Sequence, residues 1–301
     1  MASILLAWLT YRFVEAPIRF GRHGGAKAGV LVALMLCVGG AGIFIAASGG
    51  MKTRSVLSGL HLESLDIDAE NSYVWTRKMK LDLQAFDRTG KKVLVIGDSY
   101  SGDFVNALAA SSFSNRIQIS SLHIPTFCGN LLLTEDVSRY HPPKVSCPIS
   151  KSFANPKYVS LLKEADVIVF ASAWRDWEVG YMESSVANVR AISKARILFA
   201  GQKELGGVFP DFMNVDVDRL SKLKHKTGPN TLVLNETMRR SVGDAAFIDV
   251  QKLLCGDVGM CPYFDDKGAL ISYDGGHLTR LGAEYLGRRL SQDKLLRQVF
   301  E

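Results

Sequence analysis

The sequence predicts an α/β protein: a three-layer α/β/α domain with a central parallel sheet, preceded by one transmembrane helix. Three observations predict it. Short, wholly apolar runs recur through residues 91–301, and helix-patterned segments fall between them or after the last. Ahead of them lies a run of 21 residues, Ala28 to Ser48, without a charge. Strands that show no polar alternation are those buried on both faces, and intervening helices impose the parallel arrangement.

About 20 apolar residues cross a bilayer, so residues 28–48 read as a spanning helix. A signal peptide would begin nearer Met1 and be shorter. Residues 1–27 read as the remnant of a preceding membrane helix, Ala2 to Leu9, followed by a basic loop with Arg12, Arg19, Arg22 and Lys27. The net charge of +6 gathers here. Residues 1–55 hold six basic side chains against one acid, Glu15, whereas the remaining 246 hold 30 basic and 29 acidic ones. The positive-inside rule puts the loop in the cytoplasm and everything beyond about residue 50 outside it. A nucleic-acid binder would carry the excess on its folded domain; no nucleic-acid partner is expected.

Cysteine usage points the same way. Cys37 lies in the apolar run. The other four form two short-range sets, Cys128/Cys147 and Cys255/Cys261, without zinc-type spacing or matching histidines. Two disulfides in an oxidising compartment fit them better than four unrelated buried thiols. No metal site is expected from the histidines.

Residues 49–90 read as a connecting region, opened by Gly49-Gly50, with Trp75 and Leu81 packing on the domain. In order, strands are expected at Val93–Ile96, Ile117–Leu122, Val167–Phe170, Ile197–Ala200 and Ala245–Ile248. Helical patterns occupy Phe104–Ala110, Val186–Lys194, Thr231–Val242 and Thr279–Val299. No repeat or low-complexity tract interrupts them.

Two motifs carry the chemistry. Gly97-Asp98-Ser99-Tyr100 follows the first strand, at the carboxyl end where doubly wound sheets gather their sites. The next helix aims its amino terminus there, which favours a developing negative charge. Gly97 permits the tight turn, and Gly102 leaves room for a substrate. The bland alternative is a strand-to-helix turn capped by Asp98 or Ser99. Asp274-Gly275-Gly276-His277 precedes the final helix. A serine hydroxyl becomes a nucleophile only beside a base, and an imidazole needs a carboxylate to fix its tautomer. Asp274, three residues before His277, supplies one. The bland alternative here is a solvated turn capped by Thr279.

Together these blocks resemble the first and last blocks of the SGNH (GDSL-type) hydrolase and acyltransferase superfamily, over roughly residues 91–295. The resemblance implies a triad of Ser99, His277 and Asp274. The middle departs from the pattern. Where the family has Gly-x-Asn-Asp, this chain has Ala171-Ser172-Ala173-Trp174-Arg175-Asp176, without the asparagine of the oxyanion hole. The Ser99 N–H is one expected oxyanion donor; Gly97, Asp98, Ser172 and Trp174 are candidate oxyanion or substrate residues. Trp174 and Trp177 are also candidates to stack on a sugar ring.

The small residue and tryptophan after that strand, and the cysteine after Pro125-Thr126-Phe127, resemble the SGNH domains fused to acyltransferase-3 membrane proteins. Tyr11-Arg12-Phe13-Val14-Glu15-Ala16-Pro17-Ile18-Arg19 resembles the end of the last core helix of those proteins. The resemblance implies a bacterial inner-membrane protein with a periplasmic domain that moves an acetyl group onto a cell-surface polysaccharide, such as lipopolysaccharide, or a lipid-linked glycan. It implies no bound cofactor, an acetyl donor derived from cytoplasmic acetyl-CoA, and a membrane core, most of it missing here, as partner. The rivals are a carbohydrate acetylesterase with the same triad and a catalytically silent glycan-binding module.

Overall fold

A computed structural model describes residues 2–16, 24–47, 65–87, 89–141, 147, 153, 155–207, 219, 222–243 and 246–301. The chain divides into two compact units, Met1–Ser55 and Val56–Glu301. In the first, α1 (Ala2–Thr10) runs into a π-helical turn, Tyr11–Glu15, and α2 spans Gly24–Ala47. Its stretch Gly29–Ala47 is long and apolar enough to cross a membrane. Arg19, Arg22, Gly49-Gly50 and the first part of the connecting region, through residue 64, lie outside the described residues.

Among the described residues of the second unit the first helix is α3, Ile67–Leu81, where the sequence suggests a connection. Asp66 caps it through bonds from the N–H groups of Asp68 and Ala69, and Asp68 and Glu70 in its first turn suit the helix dipole. The sheet follows: β1 (Lys91–Gly97), β2 (Ile117–His123), β3 (Val167–Ala171), β4 (Arg196–Ala200) and β6 (Phe247–Ile248), ordered β2-β1-β3-β4-β6 and parallel throughout. A small antiparallel pair, β5 (Lys224–Lys226) and β7 (Met260–Pro262), stands apart. Ala245, at the start of the last expected strand, lies outside the described residues.

Alternation along each strand feeds two cores. Val93, Val95, Val169 and Leu198 face one way, onto α4 (Ser99–Ala109), α9 (Val250–Cys255), α10 (Arg280–Leu290) and α11 (Lys294–Phe300). Leu94, Ile96, Ile168, Phe170 and Phe199 face the other, onto α5 (Pro156–Glu164), α7 (Met182–Arg190) and α8 (Pro229–Val242). The short α6, Asp176–Val179, follows β3. Burial on both faces explains why these strands read as unbroken apolar runs. Both cysteine pairs are bonded, Cys128–Cys147 and Cys255–Cys261.

From β1 the chain steps to β2 at one edge, then returns to place β3 on β1's other side. The loops leaving β1 and β3 diverge there and open a crevice at the strands' carboxyl ends.

Candidate active site

The turn after β1 enters that crevice. Gly97 sits at φ 151°, and a Cβ on it would lie 1.8 Å from the Ala171 carbonyl oxygen. Only glycine lets β1 end so close to β3. Asp98 caps α4, accepting from the Tyr100 N–H, so the bland reading of the motif is also true. Ser99 is the first helical residue, and its N–H has no partner inside the helix.

The last loop brings the base. Gly275, at φ 85°, lies against Gly206, and a Cβ there would reach 1.9 Å from the Gly206 carbonyl oxygen. Asp274 Oδ1 accepts the N–H groups of Gly276 (2.9 Å) and His277 (2.6 Å). Its Oδ2 lies 2.6 Å from His277 Nδ1, and His277 Nε2 lies 2.8 Å from Ser99 Oγ. A carboxylate accepts only, so Nδ1 carries the proton and Nε2 is left to accept from the serine hydroxyl. Burial raises the Asp274 pKa, but the bonds from the His277 side chain and the two N–H groups outweigh it and hold the carboxyl down to about 2. Asp274 is therefore ionised wherever an ordinary histidine titrates. Ser99, Asp274 and His277, 178 residues apart at the extremes, thus meet in one hydrogen-bonded chain.

The imidazole is also held by its flanks. Tyr273 stacks on it at 6.0 Å, and Tyr100 meets it edge-on at 5.6 Å. Beneath lies a buried ion pair, Lys203 Nζ to Asp103 Oδ2 at 2.9 Å. Lys203 also donates to the Gly276 carbonyl, and Asp103 Oδ1 accepts the Leu278 N–H. The pair therefore grips the residues on either side of His277.

The other candidates lie elsewhere in the network. The Asp98 carboxylate, 2% exposed, accepts from Thr126 Oγ1 (2.8 Å), Ser172 Oγ (2.9 Å) and the Ala173 N–H. Ser172 spends its one hydroxyl proton on that bond. The Trp174 indole N–H donates to the Ala200 carbonyl, and the ring packs on Phe199. None of these three side chains keeps a donor for an oxyanion; they fix the β3 loop to the nucleophile turn. Trp177 stacks on Tyr140 at 4.6 Å. Gly102 also departs from expectation: a Cβ there would lie 2.6 Å from the Val74 carbonyl oxygen, so the space is used by α3, not by a substrate.

Sequence reasoning missed several residues. Asn130, from the loop after β2, is fully buried and donates to Ser172 Oγ at 2.7 Å, tying that loop to the one after β3. Its backbone N–H donates to Glu178 Oε1, while the Arg175 N–H donates to Oε2. Burial pushes Glu178 up to about 7, against the lowering effect of those bonds. The folded state therefore keeps a proton that the unfolded chain releases near 4.5. Stability should fall as pH rises from about 4.5 through about 7, by roughly 3 kcal/mol at most. Glu178→Gln is expected to flatten that fall, read as melting temperatures of the two proteins at pH 5 and pH 8.

A three-layer domain that brings a serine, a histidine and an aspartate together at its switch point has the arrangement expected of an SGNH domain. A family model described as the SGNH domain fused to AT3 domains matches residues 71–292, and the chain belongs to that family, one of hydrolases and acyltransferases. None of the curated proteins compared with the chain matches it.

Proposed function

We propose that this chain transfers an acyl group, acetyl, through an ester on Ser99 to a hydroxyl of a cell-surface polysaccharide or lipid-linked glycan. The reading is carried by the 2.8 Å contact of Ser99 Oγ with an imidazole whose far nitrogen is held by Asp274. Ser99 Oγ attacks the donor's carbonyl carbon as its proton passes to His277 Nε2. The Ser99 N–H faces the oxyanion that forms. Collapse expels the donor's leaving group, which takes the proton from His277. The acceptor hydroxyl then gives its proton to Nε2 and attacks the acyl-enzyme, and the returning proton frees Ser99.

The apolar helix α2 and the family's fusion to AT3 domains support a domain tethered at the bacterial inner membrane and working in the periplasm. The two disulfides support an oxidising compartment. On this reading no cofactor stays bound. The acetyl group originates on acetyl-CoA and reaches Ser99 through an acyltransferase-3 membrane core.

One observation favours the acetylesterase instead: the His277 side chain is 25% and the Asp274 side chain 37% exposed, so water has access. The full chain in detergent, given an activated acetyl ester and a glycan, separates the two. Acetylated glycan is the expected product; free acetate alone, at equal rates with and without glycan, would establish hydrolysis.

A further inference from the structure

Lys78, on α3, is fully buried, although lysine is among the residues least often found inside. Its Nζ donates to the Gly97 carbonyl at 2.6 Å and to the Asp98 carbonyl, and lies 3.1 Å from His123 Nδ1. Gly97 and Asp98 are the two residues before the nucleophile. Nothing in the acyl-transfer steps above uses this cation.

We infer that Lys78 is a positioning residue for the oxyanion site: its ammonium group fixes and polarises the Asp98–Ser99 peptide, so that the Ser99 N–H meets charge developing on the substrate. The inference rests on the acyl-transfer reading above. A trans peptide is planar, with its C=O and N–H pointing in opposite directions. The Asp98 oxygen is turned to Lys78, so the Ser99 N–H is turned away from it. A cation on the oxygen draws electron density through the amide and makes the N–H a stronger donor, as in any polarised hydrogen-bond chain. Burial by itself disfavours the charged form, but the two carbonyls and His123 Nδ1 around Nζ offset that cost, and in the low local dielectric the charge is poorly screened. The second bond, to Gly97, holds the preceding peptide, so the turn cannot rotate to relax the arrangement. Catalytic donors act best when aligned before the reaction.

A purely structural role, joining α3 to β1, makes a different forecast. Removing Lys78 orphans neither carbonyl. Gly97 still accepts the Ile124 N–H, and Asp98 still accepts the Ser101 N–H and hydroxyl. Lys78→Met is thus expected to fold with both disulfides formed.

The test uses the full chain in detergent with p-nitrophenyl acetate. Lys78→Met is expected to lower kcat by roughly 10- to 100-fold with KM nearly unchanged. Lys78→Gln, which keeps an N–H donor but no charge, should fall between. A second readout needs no activity. Asp98-Ser99 is the one Asp-Ser pair in the chain, so carbonyl-¹³C aspartate with ¹⁵N serine gives a single correlation for the Ser99 amide. Lys78→Met is expected to move that amide proton upfield. An unmoved resonance overturns the inference whether or not the parent is active. A moved resonance with unchanged kcat confines Lys78 to a structural role and overturns it too. A parent without Ser99-dependent turnover removes the acyl-transfer reading instead, and a moved resonance then still upholds the polarised peptide.

Discussion

Ser99→Ala is expected to lower the turnover of an acyl ester by about 10⁴-fold or more, with the fold intact. The hydroxyl is half-buried at the start of α4 and bonds His277, so losing it costs little packing. The measurement is initial rate against an activated acetyl ester, with mass spectrometry for an acetyl group on Ser99 in the parent. Equal rates in parent and variant would remove Ser99 from the reaction. Asp274→Asn is expected to cost nearly as much, for a different reason. Its amide NH₂ would face Nδ1 and favour the tautomer with the proton on Nε2, where the serine proton must go. Because Asp274 is held to about 2, no acid limb of the pH–rate profile above pH 4 should trace to it.

Breaking the Lys203–Asp103 pair should produce the largest loss of stability. Both side chains are almost wholly buried, 3% and 2% exposed. Burial raises the Asp103 pKa, and the adjacent Lys203 ammonium works against it. Lys203→Met would leave a carboxylate without its cation, at a cost of about 3–5 kcal/mol. The double variant Lys203→Met/Asp103→Leu should recover much of that, because no lone charge remains. Its activity should stay low. The Gly276 carbonyl would still lack its donor and the Leu278 N–H its acceptor, so the segment around His277 would lose its register. Thermal melts and ester turnover on the same samples check both statements. A double variant as unstable as the single would show that the pair acts through shape, not charge.

The pair also illustrates what residue types do not reveal. Lys203 stands near a polar stretch after β4, with the look of an ordinary surface cation. Lys78 sits at helical spacing among Arg77 and Lys80, where a solvated face is the natural reading. Both are buried because acceptors from distant segments converge on them, and pattern within a window of residues carries no trace of that. Asn130 is the same case. Nothing near it along the chain shows that it will cross from the loop after β2 to the Ser172 hydroxyl. Glycines divide more evenly. Gly97 follows its motif as expected, whereas the room at Gly102 belongs to a helix read as linker.

The sequence by itself determined the sheet and the apolar amino-terminal helix, and it singled out three side chains that the structure brings into contact. Strands buried on both faces must be apolar throughout, a bilayer demands length without charge, and the two motifs each sit beside a strand or helix end. Tertiary structure alone decided which polar groups surround those three side chains. Ser172 and Trp174 went to hold the loop after β3, while Asp103, Lys203 and Lys78 came inside. A buried polar atom is stable only where partners meet it, and those partners are assembled by folding rather than by proximity along the chain.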